Sequence, residues 1–372
     1  MSIDTNCSAR DYERLAKQKL CPKVWGYYSA GAGEGTTLQE SKNALKRLGF
    51  RPQMMRTEFE RDFSVNVLGH RIRAPIGVAP TAYHGLAHPD GEKATAKGVE
   101  NFGAIMIVSN WASNSIEDIA ASARGAHLWM QTFIMQNRQI TINIIRRAEK
   151  LDFKAIVITI DVPICNPWKF GFCQDLLDLG YDMRVANIDE NTDEVRAAKA
   201  SGDVMLMNYM KNQTASCPKW NDIAWVKTIT TLPVIVKGVL TAETAREAAA
   251  IGVDGIIVSA HGGRQLDEGP VPIDALPEVV DALKGQDIDV YVDGGFRTGS
   301  DVMKALAMGA KMVFLGRPAI WALAVKGADG VCNLLENLEN DLDYTMALCG
   351  CNKVSDLGRS HLRYKSQLPC RL

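Results

Sequence analysis

The residues of this sequence that could do chemistry are one histidine, one lysine, one aspartate and a set of arginines among glycines. An apolar run, Gly255-Ile256-Ile257-Val258-Ser259, breaks off into Ala260-His261-Gly262-Gly263-Arg264-Gln265-Leu266-Asp267. A strand that dissolves into glycines beside a histidine and an arginine is poor core material. An imidazole there can take a proton, and a guanidinium can grip an anion. The plainer reading is a satisfied histidine at a strand-to-loop corner. Lys237 closes a second run, Pro233-Val234-Ile235-Val236-Lys237-Gly238. A lysine in that place either reaches solvent or stabilises negative charge on a cofactor or intermediate, because burying it alone is costly. Asp161 closes a third run and is either a loop cap or the carboxylate that orients His261. Asp293-Gly294-Gly295-Phe296-Arg297 and Leu315-Gly316-Arg317-Pro318 close two further runs. Glycine admits backbone N–H groups close to a phosphate and arginine adds a charged fork. The alternative is a pair of tight turns with solvent-facing arginines.

These groups need a frame that brings distant strand ends together. From about residue 74, short β-branched runs alternate with longer segments of helical character. The runs are Ile76–Pro80, Ala104–Asn110, His127–Phe133, Ala155–Asp161, Leu232–Gly238, Gly255–His261, Val290–Gly295 and Met312–Pro318. Several of the segments between them open on Ser, Asp or Thr and close before Gly, as helices do. Eight such units predict an α/β fold, a (β/α)8 barrel. A doubly wound sheet is the rival, but it has fewer strands and one ligand crevice. Polar or reactive residues stand at the carboxyl end of nearly every run: Thr81, Ser109, Gln131, Thr159, Asp161, Lys237, Ser259, His261, Asp293 and Gly316. A barrel with its site on that rim requires this distribution, and the loops after its last two strands commonly hold phosphate.

The expected organisation is one domain over residues 1–372. It divides into an N-terminal helical and loop extension at 1–73, the barrel at 74–326 with an insertion at 162–231, and C-terminal helices with a tail at 327–372. Residues 8–20 read as an amphipathic helix. The glycine-rich turn Ser29–Gly35 lacks dinucleotide-binding spacing and reads as a loop. Gly327–Thr345 reads as a helix whose Glu336, Glu339 and Asp341 make a solvated acidic face.

Composition narrows the partners. With 47% hydrophobic and 23% charged residues and a net charge of −1, the chain offers no electrostatic reason to bind nucleic acid or an anionic membrane. No uncharged apolar run approaches the roughly 18–20 residues that span a bilayer, and the polar start lacks a secretory h-region. Nine scattered cysteines without metal-ligand spacing indicate a reducing compartment and no structural zinc.

The whole chain resembles the FMN-dependent 2-hydroxy-acid oxidase family. The resemblance is carried by Tyr27-Tyr28-Ser29-Ala30-Gly31-Ala32, Ala79-Pro80-Thr81-Ala82, Ala87-His88-Pro89-Asp90-Gly91-Glu92, Val236-Lys237-Gly238-Val239, Val258–Asp267, Val292–Gly299 and Leu315–Pro318. It implies FMN at the C-terminal rim. Pro80, Thr81 and Ala82, with Ser109, Gln131 and Thr159, would hold the flavin ring. Lys237 would lie at its anionic edge, and Ser259 would also reach it. Asp293, Gly294, Gly295, Phe296, Arg297, Gly316 and Arg317 would bind ribityl and phosphate. His261 would be the base, Asp161 its partner, and Arg264 and Tyr27 the substrate-carboxylate clamp. The implied reaction oxidises an (S)-2-hydroxy acid with O2 as acceptor. The implied assembly is a homotetramer or octamer.

The chain departs from that family where a second arginine would follow Asp161. It reads Val162-Pro163-Ile164-Cys165-Asn166-Pro167-Trp168-Lys169, with Trp168 in the arginine's place. Phe133 stands where a tyrosine is usual, and Ala260 where an asparagine is usual. Two lost hydrogen bonds to a carboxylate amount to about 2–4 kcal/mol together, a weakening of roughly 30- to 1000-fold for a small acid. Trp111, Phe133 and Trp168 would instead form an aromatic pocket for a larger, more apolar substrate. The rival readings are an oxidase or decarboxylase acting on a non-standard substrate and a flavin-binding protein without turnover. Cys370-Arg371-Leu372 resembles the small–basic–leucine tripeptide read by the peroxisomal import receptor, which predicts a peroxisomal location.

Overall fold

The computed structural model describes residues 7–164, 176, 180, 186–187, 193–202, 208–209, 212–214 and 217–364. Three helices come first: α1 (Ala9–Lys19), α2 (Pro22–Ser29) and α3 (Thr36–Arg47). Ser8 and Asp11 form a reciprocal capping box that starts α1, satisfying donors the first turn leaves open. The aromatic run Trp25–Tyr28 lies inside α2, with Pro22 at its first position, where a missing N–H costs nothing. A short strand β1 (Leu48–Phe50) comes next, then a hairpin of β2 (Val65–Val67) and β3 (His70–Ile72).

The eight predicted runs all form strands, and they close into one parallel barrel in chain order. They are β4 (Ile76–Val78), β5 (Ile105–Val108), β6 (His127–Thr132), β7 (Ile156–Thr159), β8 (Val234–Val239), β9 (Gly255–Val258), β10 (Asp289–Asp293) and β11 (Met312–Leu315). Most of their residues are buried on both faces, which is why they read as continuous apolar runs and not as alternating ones. Helices α4 (Gly91–Phe102), α5 (Ile116–Ser122), α6 (Arg138–Lys150), α7 (Asp193–Ala200), α8 (Trp220–Ile229), α9 (Ala242–Ala250), α10 (Pro272–Ala282) and α11 (Gly299–Ala307) lie between the strands. Ser115, Thr241 and Thr298 cap α5, α9 and α11 with their hydroxyls, as the sequence signals predict.

The barrel interior is packed, not hollow. Trp129, Tyr291 and Phe314 stack edge-on or tilted with centroids 5.5–5.9 Å apart. Val67 and Ile72 of the hairpin join the same apolar cluster. The hairpin thus plugs the end where the strands begin and leaves their carboxyl ends as the open face. Helix α12 (Arg317–Cys349) breaks at Gly327, whose φ of 61° and ψ of −139° are not helical. Strand β12 (Leu362–Tyr364) returns to pair antiparallel with β1. Among the described residues no helix is long and apolar enough to cross a membrane.

The acidic residues of α12 are not a solvated face. Glu339 is buried and receives both a 2.9 Å and a 2.6 Å bond from the Arg73 guanidinium. Asp341 accepts from the backbone N–H of Ser300 at 3.1 Å, at the start of α11, where a carboxylate meets the positive end of a helix. The reason is packing: α12 lies against α4 and α11, so its acidic side faces protein.

Trp129→Ala should remove the widest member of the aromatic plug. The expected loss of stability is about 3–5 kcal/mol, read by urea denaturation followed by circular dichroism. A loss below about 1 kcal/mol would show that the plug does not hold the barrel together.

Candidate active site

The loops at the carboxyl ends of the strands line one cleft. Its empty space is about 1470 Å3 counted out to the open mouth. Around it stand Pro80, Thr81 and Ala82 after β4, Ser109 and Trp111 after β5, Gln131 and Phe133 from the end of β6, and Thr159 from β7. Lys237 of β8, His261 and Arg264 after β9, Asp293 through Arg297 at the end of β10, and Gly316 and Arg317 after β11 complete the ring. Tyr27 enters from α2. Residues from the N-terminal helices to the last barrel loop therefore share one cavity. Trp168, together with Cys370, Arg371 and Leu372, lies outside the described residues.

His261 and Asp161 meet, with His261 Nδ1 2.8 Å from Asp161 Oδ1. A carboxylate only accepts, so Nδ1 carries the proton and Nε2 is the basic atom. Two backbone features make the contact. His261 adopts φ of 52°, a left-handed conformation uncommon for a residue with a side chain and characteristic of functional sites. Gly238 sits in a register shift between Lys237 and Val239, and a Cβ there would lie 2.6 Å from Asp161 Cβ. The bulge at the end of β8 opens the space that Asp161 fills.

Lys237 is buried and compensated. Its Nζ lies 2.8 Å from Ser259 Oγ and 3.2 Å from Asp293 Oδ2. Ser259 Oγ in turn donates to Asp293 at 2.6 Å and accepts from the His261 N–H at 3.0 Å. Ser259, which the family resemblance places at the cofactor, is fully buried and does not line the cleft; its hydroxyl turns toward Lys237 of β8 and Asp293 of β10. The lysine keeps a third N–H for a group in the cleft.

The arginines collect on one helix end. Arg264 Nη1 donates to the carbonyls of Tyr28 and Ala30, at 3.3 and 2.9 Å, and the guanidinium lies 5.4 Å from the Tyr27 ring centre. Arg317 donates to the Tyr28, Ala30 and Gly262 carbonyls at 2.7, 2.7 and 2.8 Å. The C-terminal carbonyls of α2 carry the negative end of the helix, which suits cations. Each of the three nitrogens of Arg317 spends one N–H this way, which leaves one on each terminal nitrogen for an anion. Burial, then Arg264 and Arg297, push Arg317 down to about 9. Burial also holds Arg297 below the usual arginine range, against the pull of Glu13 and Asp301. Both shifts come first from burial of the guanidinium, and at Arg317 neighbouring arginines add to it.

No sequence motif marks α3 as part of the site. Leu38, Ser41 and Lys42 line the cleft, yet they lie in an ordinary amphipathic segment with no motif. The one available signal was Asp267. Its carboxylate accepts from the N–H groups of Gly35, Thr36 and Thr37 at 3.1, 3.3 and 2.7 Å, fastening the start of α3 to the loop that holds His261. The glycine-rich turn is therefore a loop, as expected, but one pinned into the site.

Residues 16–364 match a family profile described as FMN-dependent dehydrogenase. The chain belongs to that family. Glycolate oxidase 1 of Zea mays is 42% identical over 366 residues, covering 97% of this chain and 98% of its own. 2-Hydroxyacid oxidase 1 of Homo sapiens is 39% identical, covering 95% of each. Among solved structures, a mandelate oxidase mutant with (S)-mandelic acid superposes with a TM-score of 0.82 at 34% identity, over 96% of this chain and 97% of that one. A flavocytochrome b2 mutant with pyruvate bound gives 0.84 at 32%, over 97% and 88%. The cofactor of the family is FMN, and the cleft fits it. Arg297 Nε is buried without a hydrogen-bond partner at the glycine-lined end, where a phosphate could sit. Lys237, Gln131 and Thr159 offer polar groups at the other end. Among the described residues no group of three or more His, Cys, Asp or Glu is placed to hold a metal ion.

Gly295 has φ of 91°, and a Cβ there would lie 2.2 Å from the Ser41 carbonyl oxygen. Gly295→Ala should therefore separate α3 from the loop and weaken FMN binding by at least about tenfold, measured by quenching of flavin fluorescence. Unchanged affinity would remove this loop from the cofactor site.

Proposed function

We propose that this chain oxidises an (S)-2-hydroxy acid to the 2-oxo acid, with O2 reduced to hydrogen peroxide. The observation that carries the reading is the 2.8 Å His261–Asp161 contact at the cleft, with Arg264 three residues further on. FMN, when bound, supplies the two-electron redox chemistry. The protein supplies position and charge. His261 Nε2 takes a proton from the α-carbon or the hydroxyl of the substrate. Asp161 stabilises the imidazolium that forms and fixes its tautomer. Arg264 and Tyr27 hold the carboxylate. Pro80, Thr81, Ala82, Ser109, Gln131 and Thr159 would seat the flavin ring, Lys237 would offset charge at its edge, and Asp293 through Arg297 with Gly316 and Arg317 would take ribityl and phosphate. Ser259 acts through Lys237, Asp293 and the His261 backbone.

The substrate side of the cleft is aromatic. Tyr27, Tyr83 and Trp111 form a chain of edge-on rings 6.1–6.3 Å apart, and Phe133 and Val162 also line the cleft. This wall favours a 2-hydroxy acid with a bulky apolar side group over glycolate. Peroxisomal residence belongs to the same proposal. A relative in Arabidopsis thaliana, 41% identical, is named as a peroxisomal (S)-2-hydroxyacid oxidase, and Cys370-Arg371-Leu372 has the pattern an import receptor reads. Self-assembly into a tetramer or octamer is the remaining part.

Anaerobic mixing tests the reading. The yellow protein should bleach with 2-hydroxy acids, and His261→Gln should keep the colour while slowing bleaching by about 10²–10⁴-fold. Bleaching at the wild-type rate would take the base role from His261. Bleaching only with other compounds would favour a different oxidation, and none with any substrate a flavin-binding protein without turnover. In a substrate panel, kcat/KM should be higher for phenyl- or long-alkyl-bearing acids than for glycolate. Glycolate turning over with an ordinary low KM would dismiss the apolar preference.

A further inference from the structure

One carboxylate on α1 and one ammonium on α3 stand beside the cation-rich end of the cleft, and the chemistry above uses neither. Glu13 reaches two cations with its two oxygens. Oε1 lies 3.7 Å from Lys42 Nζ, and Oε2 lies 3.7 Å from Arg297 Nε. Both distances exceed the roughly 2.7–2.9 Å of a charge-assisted hydrogen bond, so the carboxylate screens both cations without closing on either. Arg297 Nε makes no hydrogen bond although it is buried.

The surroundings explain why the balance is loose. Positive groups dominate: burial and then Arg297 push the Lys42 ammonium down, with Arg317 adding to the effect, while Glu13 acts the other way. Arg10 adds repulsion on Arg297. Asp301 is the other carboxylate that acts on Arg297, but it is already engaged. It accepts from the Arg297 backbone N–H at 3.2 Å and faces Lys304 Nζ at 3.4 Å. Lys42 is fixed in place because the preceding residue, Ser41, rests its carbonyl directly over Gly295. The side chain therefore lines the cleft beside the glycine loop, 29% exposed.

The geometry points to Lys42 as a further ligand of the phosphate monoester of FMN, and to Glu13 as the counter-charge that the phosphate displaces. A dianion at the glycine loop meets Arg297 Nε and Lys42 Nζ on the side that Glu13 now screens. Glu13 and the phosphate compete for the same two cations. Cofactor affinity is thereby set partly by the N-terminal helices and not by the barrel loops alone. The inference rests on the functional reading only in requiring that the chain binds FMN.

The test uses the full chain stripped of flavin, titrated by fluorescence quenching with FMN and with riboflavin, which has the same ring and ribityl chain but no phosphate. Lys42→Met should weaken FMN by roughly 5- to 10-fold, flatten its salt dependence and leave riboflavin unchanged. Lys42→Arg should restore FMN affinity to within about twofold of wild type. Glu13→Gln should tighten FMN by roughly 3- to 5-fold without affecting riboflavin. An unchanged FMN affinity in Lys42→Met overturns the ligand role. Parallel weakening of FMN and riboflavin also overturns it, since α3 would then be a scaffold alone. Unchanged or weaker FMN binding in Glu13→Gln overturns the competition. A wild-type chain that binds neither flavin overturns the functional reading together with this one; wild-type binding of FMN with indifferent variants overturns this one alone.

Discussion

Five positive side chains converge on the mouth of the barrel, and the cost of placing them there organises its surroundings. Lys237 sits on Ser259 and Asp293. Arg264 and Arg317 sit on the last carbonyls of α2. Arg297 and Lys42 share Glu13. A buried cation without compensation is among the costliest features a fold can carry. Each compensation here comes from a different part of the chain, which ties the N-terminal helices, the strand ends and the last two loops into one unit. The excess of positive charge that remains is the property that makes the cleft a receptor for an anionic cofactor and an anionic substrate.

The N-terminal helices are consequently part of the site. Helix α2 brings Tyr27 and two carbonyl ends, and α3 forms a wall whose start is tied to Asp267 and whose middle rests on Gly295. The barrel provides the precision that loops alone lack, because its strands are held on both sides by parallel neighbours and underneath by the Trp129–Tyr291–Phe314 plug. His261 is held by local strain of a defined kind. His261 occupies a left-handed conformation, its N–H is taken by Ser259, and its ring is taken by Asp161 across the bulge at Gly238. One hydroxyl, that of Ser259, thus links Lys237 to the backbone of His261.

Sequence and tertiary structure decided different things. The eight strands, their order and the carboxyl-end location of Lys237, His261, Asp293 and Arg317 come from apolar runs punctuated by capping residues and glycines. Those signals are local, and a parallel strand buried on both faces has a distinctive composition. The motif residues were also legible, because glycine, histidine and arginine are poor choices where only packing matters. Three features were not legible. Ser259 faces its neighbours and not the cleft, a matter of strand rotation that the run Val258-Ser259-Ala260 does not disclose. The acidic residues of α12 face Arg73 and the start of α11, because which side of a helix meets protein depends on where it docks. Glu13 and Lys42 stand in ordinary amphipathic helices near the start of the chain, and packing alone carries them to Arg297, in a loop near its other end. Short-range pattern determined which residues were chemical; only three-dimensional packing determined which charges neutralise one another, because electrostatic partnership depends on distance through space.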